Sequence, residues 1–71
     1  MTALERARKK LVFRRKEAGL SRGDLAKRIG VSMYTVASWE RGEREPPVSS
    51  LEDWCDSLGV SISWAVGEGL L

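Results

Sequence analysis

The stretch "SRGDLAKRIGVSMYTVASWERG", residues 21–42, reads as two short helices separated by one tight turn. Ser21 and Ser32 each precede a helix-compatible run, where a hydroxyl can accept from backbone N–H groups that lack a partner inside the helix. Gly30 and Gly42 stand just past the two runs, where glycine takes left-handed backbone at low cost. Only Val31 separates Gly30 from the second cap, so Gly30 permits the sharp turn.

Helical periodicity divides each run into two sides. Leu25, Ala26 and Ile29 face inward from the first, and Ala26 is small enough to let a partner helix approach. On the second, at about 100° per residue, Val36, Trp39 and Glu40 cluster inward while Tyr34, Ala37, Ser38 and Arg41 point the other way. Met33 lies at the flank, at the N-terminal end. The lengths and turn chemistry match a helix-turn-helix, although an ordinary helical hairpin can share the pattern.

Working outward, three more helices complete an all-α chain. The first spans about residues 3–18, with Leu4, Ala7, Leu11, Arg15 and Ala18 along one stripe. Thr2 with Glu5, and Ser21 with Asp24, have capping-box spacing. A fourth helix over about 48–58 carries Leu51, Trp54, Cys55 and Leu58 at i, i+3, i+4 and i+7, and a fifth, over 62–66, follows Ser61. The boundaries of helices two and three are about 22–29 and 33–41. No alternating strand pattern, repeat or low-complexity linker breaks the chain, so residues 1–71 are expected to form one compact five-helix domain.

Composition narrows the function. Seventy-one residues bury only about 60% of the surface their unfolded chain exposes, which leaves little room for a deep catalytic cleft. The sequence has no His, no paired catalytic carboxylates, no phosphate-cradling glycine loop and no metal-ligand set, so neither an enzyme nor a metal or cofactor site is expected. With 42% hydrophobic and 31% charged residues it is too apolar for disorder and too broken by charge for a membrane span. Cys55 stands alone, which fits a reducing cytoplasm, and no export leader is visible.

The net charge of +2 is unevenly laid out. Residues 1–28 hold ten Lys/Arg against three Asp/Glu, or +7, whereas residues 29–71 hold two against seven, or −5. One end of the molecule therefore attracts polyanions and the other repels them.

The segment "GLSRGDLAKRIGVSMYTVASWERGEREPP" resembles the helix-turn-helix of phage repressor and Cro-type, Xre-like regulators, and "LGVSISW" resembles the family's entry into its last helix. Together they cover about residues 11–66. The resemblance implies a lambda-repressor-like DNA-binding domain of five helices, a recognition helix in the major groove of double-stranded DNA, and often a two-fold homodimer on a pseudo-palindromic operator in the bacterial cytoplasm or nucleoid. It also implies a dimer seam near Pro47, Val48, Ile62 and Trp64, and a paired Arg and Glu at Arg15 and Glu40.

On this reading the base-contacting candidates are Met33, Tyr34, Ala37 and Ser38. They lack the bidentate donors that read guanine or adenine, so Tyr34 and Ser38 hydroxyls are expected on single base-edge atoms, with Ala37 and Met33 against thymine methyls. Core packing is an equal alternative for Met33. The phosphate candidates are Ser21 and Ser32 at helix N-termini, with Arg22, Arg41, Arg44, Arg14 and Lys16. Each cation has the alternative role of a solvated surface charge.

Arg15 lies on an apolar stripe and needs an anion there. Glu40, on the inward side of its helix, is the best partner. Arg14 stands where the family more often has an apolar residue. Phe13 falls about 180° from the stripe and should be exposed. Either the C-terminal Leu70 and Leu71 cover it or it belongs to a protein-partner surface. Trp54, Trp64 and Ile62 are assigned to the core by default, and Cys55 to a buried thiol. Two functions therefore compete. One is a sequence-specific regulator, most simply a repressor, and the other an antitoxin or protein-interaction module on the same fold.

Overall fold

The computed structural model describes residues 2–67. Leu70 and Leu71, the proposed cover for Phe13, lie outside the described residues. Within them are five helices and no strand: α1 (Ala3–Glu17), α2 (Arg22–Ile29), α3 (Met33–Arg41), α4 (Val48–Ser57) and α5 (Ile62–Val66). The all-α, five-helix architecture expected from the sequence is what the chain adopts.

Caps set where four of these helices begin. Thr2, Ser21, Ser32 and Ser61 each accept from the backbone N–H three residues on, and Glu5 and Asp24 return the bond to the N–H of Thr2 and Ser21 to close two capping boxes. Pro47 starts α4 without a side-chain bond. Gly30 and Gly42 end α2 and α3 at φ of 84° and 76°, a backbone that a side chain would strain.

The capping carboxylates are exposed but not free. The Thr2 and Ser21 backbone N–H groups, and then their hydroxyls, hold Glu5 and Asp24 below their ordinary values of 4.5 and 3.8. A depressed carboxylate contributes stability that is fully present above its ordinary value and is lost as pH falls through the lower, folded-state value. Thermal melts are therefore expected to hold level down to those ordinary values and decline below them. Glu5→Gln and Asp24→Asn should each flatten that acid limb, and an unchanged limb in both would dismiss the capping contribution.

Packing follows the inward stripes. α2 lies against α3 and α4, α1 against α5 and α3, and α5 against α4. Ala7 and Leu11 of α1, Leu25 and Ala26 of α2, Val36 and Trp39 of α3, and Leu51, Trp54, Cys55 and Leu58 from the α4 region are buried together with Ala65. Trp39 and Trp54 stack with centroids 5.7 Å apart, which joins α3 to α4. Burial pushes the Cys55 thiol up, with Asp56 and Glu52 adding to the effect.

Two assignments are corrected. Ala18 is exposed and serves as the C-cap of α1 rather than as the end of its apolar stripe, because the helix stops at Glu17 and the chain turns there. Trp64 is half-exposed rather than core. The Lys10 ammonium sits 5.1 Å from its ring centroid and donates to the Trp64 carbonyl at 2.8 Å and the Gly67 carbonyl at 3.1 Å. A cation thus covers one face of the indole and caps the short α5. Among the described residues no helix is long and apolar enough to cross a membrane.

Candidate nucleic-acid interface

α3 is fixed from behind before it presents anything in front. The Glu40 side chain is 1% exposed, yet it is ionic, so every lone pair it buries requires a donor. Arg15 meets it with two bonds, Nε to Oε2 at 2.6 Å and Nη2 to Oε1 at 3.0 Å, and places Nη1 on the Leu20 carbonyl at 2.8 Å. That is the Arg15–Glu40 ion pair, in the two-pronged geometry that adds direction as well as attraction. Arg22 then donates Nε to Glu40 Oε1 at 2.8 Å. One carboxylate therefore ties together α1, α2 and α3.

Arg22 was a phosphate candidate only, and its second role was missed. Its side chain is 39% exposed, so its Nε is spent on Glu40 while the guanidinium edge still meets solvent. A signal existed in the sequence: one buried acid facing more than one nearby arginine.

The front of α3 is less simple than a two-sided helix. Tyr34 is 76% exposed, Arg41 is exposed, Met33 is half-exposed and Ser38 is half-buried. Ala37 is 6% exposed, which corrects its assignment to the outer face. Taking Met33 as 0° and about 100° per residue, Ala37 falls near 40°, between Glu40 near 340° and Arg41 near 80°. It sits on the rim of the buried arc, and its single methyl is too short to reach past the longer side chains beside it.

The N-termini of α2 and α3 lie together. A Cβ built on Gly23 would be 3.7 Å from Ser21 Oγ and 3.9 Å from Met33 Sδ, so Met33 leans on the first turn of α2. Each of these ends leaves its first N–H groups, those of Arg22 and Gly23 and of Met33 and Tyr34, without an acceptor inside the helix. The Ser21 N–H is already used, since it donates to Asp24 Oδ2 at 2.9 Å. The Ser32 hydroxyl accepts from the Thr35 N–H and lies 2.9 Å from the Thr35 hydroxyl.

The remaining cations divide. Arg41 pairs with Glu43 at 3.1 Å and Arg14 with Glu17 at 3.8 Å, both on the surface. Such exposed pairs are weak and open readily to a stronger anion. Lys16 and Arg44 are exposed and make no ion pair among the described residues. Lys10 and Arg28 are committed elsewhere, Arg28 donating to the Ser57 carbonyl at 3.3 Å near the end of α4. Among the described residues no group of three or more His, Cys, Asp or Glu could hold a metal ion.

Residues 13–64 match the family model described as helix-turn-helix. This chain belongs to the helix-turn-helix family. Over 54 residues the helix-turn-helix chain is 43% identical to an HTH-type transcriptional regulatory protein of Pyrobaculum aerophilum, an alignment that covers 76% of this chain and 22% of that protein. It is 40% identical over 47 residues to an uncharacterised HTH-type transcriptional regulator of Sinorhizobium fredii, covering 66% of this chain and 61% of the relative. A third likeness, 37% over 41 residues, is to an HTH-type transcriptional regulator of Haemophilus influenzae, over 58% of this chain and 17% of the other. The chain thus spans about a fifth of the length of two of these relatives and three-fifths of the other. No solved structure matches it significantly.

Beside the helix-turn-helix, the four residues assigned to a dimer seam lie on two neighbouring elements. Pro47, Val48 and Trp64 are exposed and Ile62 is half-buried against the core. Pro47 and Val48 stand at the start of α4, and Ile62 and Trp64 on α5.

Proposed function

We propose that this helix-turn-helix chain is a sequence-specific double-stranded DNA-binding regulator of transcription, most simply a repressor that occupies a pseudo-palindromic operator as a homodimer in the cytoplasm. The observation that carries this reading is an outward ridge of Met33, Tyr34 and Ser38 on a helix whose other side is locked by Arg15, Glu40 and Arg22. A rigid helix of this width fits the major groove, with its N-terminal residues nearest the base edges.

The residues take distinct roles. Tyr34 and Ser38 hydroxyls, neither engaged with any acceptor among the described residues, read base-edge atoms, while Met33 offers apolar contact to a thymine methyl. Ala37 contributes closeness of approach rather than a contact of its own. Arg22, Arg41, Arg44, Lys16 and Arg14, with the Ser21 and Ser32 hydroxyls and the free N–H groups of α2 and α3, hold phosphates. Pro47, Val48, Ile62 and Trp64 form the two-fold seam. No catalysis and no cofactor enter this mechanism.

Selection of bound duplexes from a random pool tests the whole reading. Enrichment of a two-fold sequence, with half-sites about 10 base pairs apart or a multiple of that, supports it, and the absence of any enrichment overturns it. A second expectation concerns salt. If three to five phosphates are neutralised per subunit, a log–log plot of affinity against salt falls with a slope of roughly −3 to −4.5 per subunit. A flat plot from low to moderate salt removes the phosphate assignment. The antitoxin or interaction-module alternative is favoured by one feature, the exposed Phe13, which no step above uses.

A further inference from the structure

Between the first turns of α1, the loop that follows Gly42 and the core side of α4 lies a pocket of 320 Å³, at the small end of the range in which ligand pockets fall. Trp39, Leu51 and Trp54 give it apolar walls, and the two indoles are stacked on one another. Four charged side chains share the lining, Glu5 and Glu45 against Arg8 and Arg44, so it carries no net charge.

Two of those four are already committed. Glu5 accepts from the Thr2 N–H at 2.7 Å, and Arg44 is proposed above to hold a phosphate. Arg8 and Glu45 are not. A Cβ on Gly42 would stand 3.0 Å from Arg8 Cζ and 3.1 and 3.2 Å from its two Nη atoms, near-equal distances that lay the guanidinium face-on over the glycine. Its N–H edge is left for another partner, and the half-buried side chain makes no hydrogen bond or ion pair among the described residues. Such a fork matches a carboxylate. Glu45 likewise makes no ion pair among them, with Arg8 or with any other cation. Trp54 adds a buried indole N–H that has no acceptor among the described residues, a second donor in the same lining.

The geometry points to a binding site for a free amino acid with an apolar side chain. Its carboxylate takes the Arg8 guanidinium, its ammonium takes the Glu45 carboxylate, and its side chain lies against Trp39, Leu51 and Trp54. A simple acid leaves Glu45 without a counter-charge and a simple amine leaves Arg8 without one, whereas a zwitterion satisfies both and keeps the pocket neutral. The site does not rest on the DNA reading and uses none of its residues.

Titration of the isotope-labelled chain with L-phenylalanine, without DNA and followed by proton–nitrogen correlation spectra, tests it. The indole signals of Trp39 and Trp54 should shift together and saturate with a Kd of about 1 mM or tighter, while that of Trp64, which does not line the pocket, should stay in place. On the same unaltered chain phenylpropionate, which lacks the ammonium, and phenethylamine, which lacks the carboxylate, should each bind at least about tenfold more weakly, because each forfeits one charged contact. Arg8→Gln and Glu45→Gln should weaken L-phenylalanine by a similar factor. Should either variant fail to fold, the comparison of the three ligands on the parent chain still decides. The absence of saturable shifts at the two indoles up to about 10 mM ligand overturns the inference, as does equal binding of either single-charge analogue or undiminished binding by a folded variant. Failure to select any DNA sequence would overturn the regulator reading while leaving this site standing.

Discussion

Glu40→Gln should lower folding stability by about 3 kcal/mol, because it leaves the Arg15 guanidinium buried without the charge that balances it. For a chain of 71 residues that corresponds to a fall in melting temperature of about 12 to 24 °C, a large share of all the stability a domain of this size has. Glutamine is nearly isosteric, so the loss isolates charge from packing. The same carboxylate also serves Arg22, which is more exposed, and that difference ranks the partners. Arg15→Gln should cost nearly as much as Glu40→Gln, whereas Arg22→Gln should cost no more than about 1 kcal/mol. Replacing Arg15 and Glu40 together with apolar residues should recover much of the loss, as a filled apolar site no longer buries an unpaired ion. Thermal and urea unfolding read all four variants, and an unchanged melting temperature for Glu40→Gln refutes the structural role.

The sequence carried most of this architecture because its punctuation is local. A serine, a carboxylate three residues on and a glycine past the end are short-range signals, and Thr2, Ser21, Ser32 and Ser61 all cap as their spacing implies. Arg15 and Glu40 could be matched at a distance because each is a charge on an otherwise apolar stripe, and burial forces such groups together. Arg22 escaped notice as their third member because a long side chain at a helix start looks the same whether it reaches solvent or an acid 18 residues on.

The same limit applies to the basic first half. Its +7 looked like a field for polyanions, yet Lys10 reaches carbonyls 54 and 57 residues away to close α5, and Arg28 one 29 residues away near the end of α4. Periodicity could not reveal these uses, since a cation that caps a distant helix and one that faces water occupy the same exposed positions. Ala37 failed for a different reason. At about 100° per residue an angle near the rim of the buried arc does not decide exposure, and the size of the side chain does.

Replacing Tyr34 and Ser38 together with alanine should abolish preference for the selected operator while leaving general DNA affinity intact. Both side chains stand on the exposed arc of α3, and neither hydroxyl has a protein partner to lose, so stability should change by less than about 0.5 kcal/mol per site. A lost base contact costs about 1–3 kcal/mol, so the pair should lower operator affinity by about two orders of magnitude. The proposed phosphate contacts come from other residues, so the salt slope should stay as it is in the parent chain. That combination separates readout from anchorage. Arg22→Ala should do the reverse, weakening all duplexes alike and making the slope shallower by about one phosphate. If the Tyr34 and Ser38 double variant still enriches the same sequences with the same affinity, the ridge does not read DNA through these two hydroxyls. Met33 leans on Gly23 and is only half-exposed, so it could supply one methyl contact but not a site.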